Sequence, residues 1–147
     1  MHIDVVKPGR VVLANGAFDP LHVGHLRYLT GAKEHGDFLV VALNSDASVR
    51  ANKGEKRPVV NEDDRAAIIA GIAVVDAVVI FTEATVAEIL ENLHPQVHAK
   101  GTDYTVDSVP ERDVALRLGI DTVIAGDPKG HASSELVDKI RGDTEGG

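Results

Sequence analysis

The chain has 147 residues, 44% of them hydrophobic, with 23 acidic against 15 basic side chains, a formal charge of −8 and no Cys. That length and apolar content suit one folded unit of radius ~15 Å with a buried core, and they exclude disorder over most of the chain. The lack of Cys excludes a disulfide scaffold, a thiolate metal site and a Cys nucleophile, and the acidic balance argues against nucleic acid or an anionic membrane as partner, because both ask for a basic face.

The apolar residues are mainly Val, Ala, Ile and Leu, with two Tyr and three Phe, a mixture that suits parallel strands covered by helices. Val11 to Ala14 reads as a first buried strand ending at Asn15-Gly16, and Phe38 to Leu43 as a second ending at Asn44-Ser45-Asp46. Between them Val23, Leu26, Leu29 and Ala32 recur at helical spacing, with Gly36 as the stop. Ser45 to Val60 reads as a loop in which Arg50, Lys53, Lys56 and Arg57 outweigh Asp46 and Glu55. Asn61, with Glu62, Asp63 and Asp64 after it, is an N-cap with acids in the first turn, opening a helix to about Ala73.

Val78 to Phe81 is the third strand. Thr85 with Glu88 forms a capping box for a helix to Leu93, which His94-Pro95 stops, and Val97 to Lys100 is the fourth strand. Ser108 with Glu111 is a second capping box, predicting a helix from about Val109 to Leu118 before Gly119, then a fifth strand over Thr122 to Ala125 and a last helix over Ser133 to Arg141. This alternation predicts a single-domain α/β fold, a Rossmann-like, doubly wound parallel sheet of about five strands with right-handed crossovers. The folded domain is expected over residues 1–141, with a disordered tail at 142–147. The start, MHIDVVKPGR, lacks the apolar core of a secretory signal, and Ala66 to Phe81 is too short and too interrupted by Gly71 and Asp76 to span a bilayer, so a cytoplasmic location is expected.

Ligands of such sheets bind beyond the carboxyl ends of the strands. The first strand runs into Asn15-Gly16-Ala17-Phe18-Asp19-Pro20-Leu21-His22-Val23-Gly24-His25, with neither G-x-G-x-x-G nor a Walker lysine. His22 and His25, three apart where the helix opens, place two rings on one face beside the free N–H groups of a helix N-terminus, which already attracts phosphate. Two imidazole donors there can bind phosphate oxygens and stabilise charge that grows during reaction, and Gly24 lets a ligand approach the backbone. The plainer alternative is a pair of polar helix-start residues. A zinc reading of His-x-x-His lacks a third ligand.

The run from Gly16 to His25 resembles the G-x-F-D-x-x-H-x-G-H signature of the nucleotidyltransferase superfamily that shares the HxGH box with class I aminoacyl-tRNA synthetases. The resemblance extends through Asn44 to Arg50, Lys53-Gly54, Asp64-Arg65, Lys100 to Thr105 and His131 to Ser134, and is strongest to the adenylyltransferases that act on heptose 1-phosphate in the ADP-heptose pathway. Glycerol-3-phosphate cytidylyltransferases are next. That branch carries Arg-Thr-Glu-Gly-Ile-Ser where this chain has Lys129-Gly130-His131-Ala132-Ser133-Ser134, which counts against it.

The resemblance implies transfer of a nucleoside monophosphate from a triphosphate, ATP rather than CTP, to a sugar phosphate with loss of pyrophosphate. Mg²⁺ assists through the phosphates rather than through direct protein ligands. The acceptor's own phosphate oxygen is the nucleophile, so catalysis reduces to alignment and charge stabilisation. His22, His25 and Lys53 are the expected catalytic residues, Lys53 as a phosphate clamp that closes on binding. Nucleotide binding is expected from Gly16, Ala17, Phe18, Asp19, Gly24, Arg65, Lys100, Gly101, Asp103, Ser133 and Ser134.

Acceptor contacts are expected from Asn44, Arg57, Tyr104 and His131, the last as a third imidazole. Asp19 has three open roles: orienting a His, meeting Mg²⁺ through water, or capping the helix. Arg65 opposes the dipole preference of a first helical turn, which points to a ligand or an ion pair, with Glu62 as the ordinary partner. A homodimer is permitted by the apolar helix faces. A nucleotide-binding module without catalysis is the alternative of another class.

Overall fold

The computed structural model describes residues 9–126. Five strands form one parallel sheet in the order β3-β2-β1-β4-β5: β1 (Val11–Gly16), β2 (Phe38–Asn44), β3 (Ala77–Phe81), β4 (Val97–Lys100) and β5 (Asp121–Ile124). The expected α/β sheet is therefore observed. β1 lies between β2 and β4, with Leu13 facing Val40 on one side and His98 on the other. The chain winds outward from β1 to β3, crosses back to β4 and winds outward again to β5. That reversal leaves a crevice at the carboxyl ends of β1 and β4, where sheets of this kind hold ligands.

Both sheet faces are covered, which is why β1 and β2 are nearly continuous apolar runs. Val12, Ala14, Leu39, Val41 and Leu43 pack with Tyr28, Leu29 and Ala32 of α1 (Val23–Lys33) and Ile69 of α3 (Glu62–Ala70). Val11, Leu13, Val40 and Ala42 pack on the opposite face with Ile89, Leu90 and Leu93 of α4 (Ala87–Leu93) and Ala115 of α5 (Arg112–Leu118).

Several local expectations change. The segment read as a loop from Ser45 to Val60 opens with a helix, α2 (Asp46–Lys53): Ser45 Oγ accepts the Ser48 N–H at 3.2 Å, Val49 is buried, and Gly54 closes the helix at φ 96°. Those are ordinary start and stop signals that the local charge excess overshadows. α3 ends at Ala70 rather than Ala73, and α1 ends before Gly36. Gly36 is required for another reason, since a Cβ there would lie 2.6 Å from the Arg10 carbonyl oxygen.

Neither predicted capping box forms as drawn. α4 begins after Val86 with no side-chain cap, Thr85 Oγ1 accepting only the Ala87 N–H at 3.3 Å. Ser108 belongs instead to a short 3₁₀ turn (Val106–Ser108), where it pairs with Thr105, and Glu111 precedes α5 without capping it. The reason is tertiary: the Glu111 side chain is buried, so it cannot turn back along the helix end. The last helix, the tail, Ser133, Ser134 and His131 lie outside the described residues. Among the described residues no helix is long and apolar enough to cross a membrane.

Candidate active site

His22 and His25 open α1 as expected, and the geometry fixes more than their position. The His22 N–H donates to His25 Nδ1 at 3.2 Å, and the Gly24 N–H donates to His22 Nδ1 at 2.9 Å. The rings stack with centroids 3.9 Å apart. A neutral imidazole that accepts at Nδ1 carries its proton on Nε2. Burial lowers the pKa of His22, and burial with the charges of His22 and Lys53 lowers that of His25 to about 4. Both rings are thus neutral near pH 7 and present Nε2–H donors. The first-turn amides serve the fold more than expected: Gly24 N–H is taken by His22, and His25 and Leu26 N–H return to the His22 carbonyl. The imidazoles, more than the helix end, are the donors.

Phe18 sits beneath this pair. It is 4% exposed, has φ 51°, meets His25 edge-on at 5.0 Å and stacks on Tyr28 at 6.4 Å. Gly16 is needed for that arrangement, because a Cβ there would stand 3.2 Å from the Phe18 ring. The Phe18 ring is thus a platform for His25.

Arg65 makes the ion pair that is its other expectation. Its side chain is 1% exposed and turned inward. Nε donates to Val60 O at 2.7 Å, Nη1 to Ala17 O and Asn44 O at 2.8 Å each, and Nη2 to Asp46 Oδ1 at 2.7 Å. A fork with these partners ties the ends of β1 and β2 to the start of α3 and spends four of its five N–H groups on the fold. Its ion-pair partner is Asp46, not Glu62, which instead accepts the Asp46 N–H at 2.9 Å. The Asn44 side-chain NH₂ donates to Ser48 Oγ at 3.0 Å, and its backbone carbonyl accepts from Arg65 Nη1.

Asp19 is fully buried at its side chain and does not cap α1, whose N-cap is His22. Oδ2 accepts from Arg57 Nε at 2.9 Å and Val59 N–H at 2.7 Å, Oδ1 accepts from Val60 N–H at 2.8 Å, and Arg57 Nη2 also donates to the Asp19 carbonyl. Burial alone would raise its pKa, but these donors outweigh it and the net shift is downward. Asp19 thereby latches residues 57–60 to the loop that carries the histidines, with Arg57 Nε and Nη2 in that latch.

Lys53, in the last turn of α2, stands close enough to His25 to depress its pKa. Its own pKa is lowered by burial and by Arg57 and Arg65, against Asp19. Lys53 thus stands near His25 with Arg57 and Arg65 about it, in an otherwise acidic chain. Arg57 and Arg65 are ion-paired, and Lys53 is left exposed as the cation suited to a polyphosphate. It is fixed by helix and latch rather than carried on an open loop.

On the other side of the β1–β4 crevice, Lys100 is 7% exposed and lies 4.6 Å from the centroid of the Tyr104 ring. Gly101 has open space where a Cβ would be, and Asp103 is exposed. Sequence reasoning misses three residues here. His98, fully buried, shares a 2.9 Å hydrogen bond with Asn15 Oδ1 through Nε2, and burial with Lys100 lowers its pKa to about 3. Asn15 N–H donates to Tyr28 Oη, which donates to Ala99 O at 2.6 Å, closing the seam between β1 and β4. Glu111 is buried beside them. A His inside an apolar strand is a visible signal; Glu111 carries none, because it fits a helix start equally well.

A strand, loop and helix start with this histidine pair is the part of the chain that a comparison with known proteins can test. Residues 13–126 match the family model described as cytidylyltransferase-like. The chain belongs to the cytidylyltransferase-like family. The resemblance drawn from residues 16–25 thus holds. The family domain is 45% identical over 131 residues to the bifunctional protein HldE of Geobacter sulfurreducens, covering 89% of this chain and 27% of that protein. It is 47% identical over 131 residues to the bifunctional protein HldE of Geobacter metallireducens, again covering 89% of this chain and 27% of that protein. The chain therefore spans about a quarter of the length of these relatives.

Among solved structures, the lipopolysaccharide core biosynthesis protein of Thermoplasma volcanium superposes with a TM-score of 0.69 at 28% identity, over 81% of this chain and 98% of that one. The pantothenate synthetase of Thermus thermophilus, with a TM-score of 0.57 at 20% identity over 85% of this chain and 57% of that one, shares the fold.

Proposed function

We propose that this cytidylyltransferase-like domain transfers the adenylyl group of ATP to heptose 1-phosphate and releases pyrophosphate. The observation that carries the reading is the histidine pair, whose Nδ1 atoms are held by backbone N–H groups so that both Nε2–H groups serve as fixed, neutral donors beside Lys53. The HldE relatives and the lipopolysaccharide core neighbour support a sugar phosphate as acceptor.

In the reaction an acceptor phosphate oxygen forms a bond to the α-phosphorus, and the bond from that phosphorus to the bridging oxygen of pyrophosphate breaks. No protein nucleophile is needed. The Nε2–H donors of His22 and His25 hold phosphoryl oxygens whose charge grows in the transition state, and Lys53 binds the departing end. Neutral imidazoles do not cancel the charge of a triphosphate. That deficit suits Mg²⁺, which would supply charge neutralisation when bound with the triphosphate.

Pyrophosphate release with Mg²⁺ tests the reading, pairing ATP or CTP with heptose 1-phosphate or glycerol 3-phosphate. Turnover with ATP and the heptose is expected. Turnover confined to CTP and glycerol 3-phosphate would replace it with cytidylyl transfer, and no turnover with any pair, despite nucleotide binding, would leave a binding module.

A further inference from the structure

Beyond the triphosphate end, the same crevice holds polar groups that the transfer chemistry does not use. Glu111 is 4% exposed, its Oε1 has no hydrogen-bond partner, and its side chain does not cap α5. A buried carboxylate oxygen without a donor is costly in a protein interior, so its retention calls for a donor that arrives from outside. Lys100 interacts with Glu111 through space, but no ion pair joins them among the described residues.

Three further features define what that group is. Tyr104 lies under the Lys100 ammonium and forms an aromatic wall. A Cβ at Gly101 would meet nothing within 4 Å, so the crevice is open beside Lys100. His98, two residues before Lys100 on the same sheet face, donates from Nε2 to an amide oxygen, which leaves Nδ1 as a second buried acceptor without a partner. Lys100 ends β4, the strand beside β1, so it and the Tyr104 ring stand at the point where the strand order reverses. Two unpaired acceptors, one ammonium donor and a ring are the chemistry for neutral hydroxyl groups, which donate and accept at once.

We infer that Glu111, with Lys100 and Tyr104 beside it, is the subsite that receives the hydroxyl groups of a polyhydroxylated acceptor, the carboxylate accepting and the ammonium donating. The inference rests on the proposed transfer to a phosphate ester, and it assigns specificity to a residue outside the histidine signature. The subsite separates a sugar phosphate from a bare phosphate.

The test is calorimetric titration of the wild-type chain and of Glu111→Gln with heptose 1-phosphate, methyl phosphate and Mg-ATP. The wild type is expected to bind the heptose ester more tightly than methyl phosphate. Glu111→Gln is expected to cut that preference by roughly 10- to 100-fold, the range for losing one hydrogen bond to a charged group, while ATP affinity stays within about twofold. Lys100→Met, which removes the other charge, is expected to move the preference the same way and serves if Glu111→Gln does not fold. Equal binding of the two phosphates by the wild type, or a preference that survives in the folded variants, would overturn the subsite. Loss of the preference in a chain that makes no pyrophosphate would keep the subsite and remove the transfer reading instead.

Discussion

His25 Nδ1 accepts the backbone N–H of His22 at 3.2 Å while the two rings stack at 3.9 Å, so His22 fixes the proton of His25 on Nε2, as the Gly24 N–H does for His22. A donor held this way needs no reorganisation when charge develops on a phosphoryl oxygen. His25→Ala is therefore expected to lower kcat by roughly 10²- to 10³-fold, the range for losing one transition-state donor. It also removes one cap interaction of α1, which costs about 1 kcal/mol. Pyrophosphate kinetics and thermal unfolding of the same variant separate the two effects; turnover near wild type in a folded His25→Ala would sink the assignment.

The depressed histidines make stability depend on pH. Burial, with His22 and Lys53, brings His25 from 6.5 to about 4, and burial with Lys100 brings His98 from 6.5 to about 3. The unfolded chain takes up these protons near 6.5, whereas the native chain resists until pH nears 4 and then 3. Stability from these groups is complete above the unfolded value and is lost as pH falls through the window below it. Thermal midpoints are expected to drop progressively on acidification from about pH 7 to about pH 4. His98→Val, which fits a buried strand, should flatten that slope although it leaves Asn15 Oδ1 without its donor. Identical slopes in the two proteins would count against a neutral buried His98.

The strands were legible because β1, β2 and β4 are short apolar runs ended by Asn-Gly, Asn-Ser and Gly, and the histidine pair because its spacing and position after β1 are local facts. Sequence spacing does not carry partnership across the chain. Arg65 meets Ala17, 48 positions away, and Asp19 meets Val60, 41 positions away. Charged residues beside a phosphate motif read as ligand contacts when taken singly, and only the fold shows that they hold the loops together. Glu111 reads as a capping residue for the same reason, its burial being decided by the packing of α5 on the sheet.

Arg65 is expected to matter for stability before it matters for binding. Lysine keeps the charge but has one donor head, which cannot serve Val60 O, Ala17 O, Asn44 O and Asp46 Oδ1 together. Arg65→Lys should cost about 2–4 kcal/mol, because buried carbonyls lose donors and Asp46 loses its close partner. Urea unfolding would show this as a lower midpoint at an unchanged slope. An unaltered midpoint combined with a raised KM for ATP would instead return Arg65 to the phosphate site.

Asp19 holds the segment just after Lys53, and its replacement should release that segment without altering the histidines. Asparagine offers one acceptor oxygen, whereas the carboxylate serves Arg57 Nε, Val59 N–H and Val60 N–H on two. Whichever way the amide turns, its NH₂ group faces a donor. Asp19→Asn is therefore expected to cost about 1–3 kcal/mol, the penalty for leaving buried donors unmatched. The local effect is larger than the global one, since only residues 57–60 lose their anchor. Lys53 and Lys56 lie just ahead of that anchor in a stretch of exposed residues, so trypsin should cut after them faster in Asp19→Asn under native conditions. With Lys53 no longer held near His25, kcat/KM for ATP should fall roughly tenfold, the size of one weakened charged contact. Saturating ATP should slow the cutting in the variant if Lys53 binds the triphosphate, because a ligand stabilises the arrangement it binds. Cutting that is as slow as in the wild type would mean that Asp19 is not the anchor.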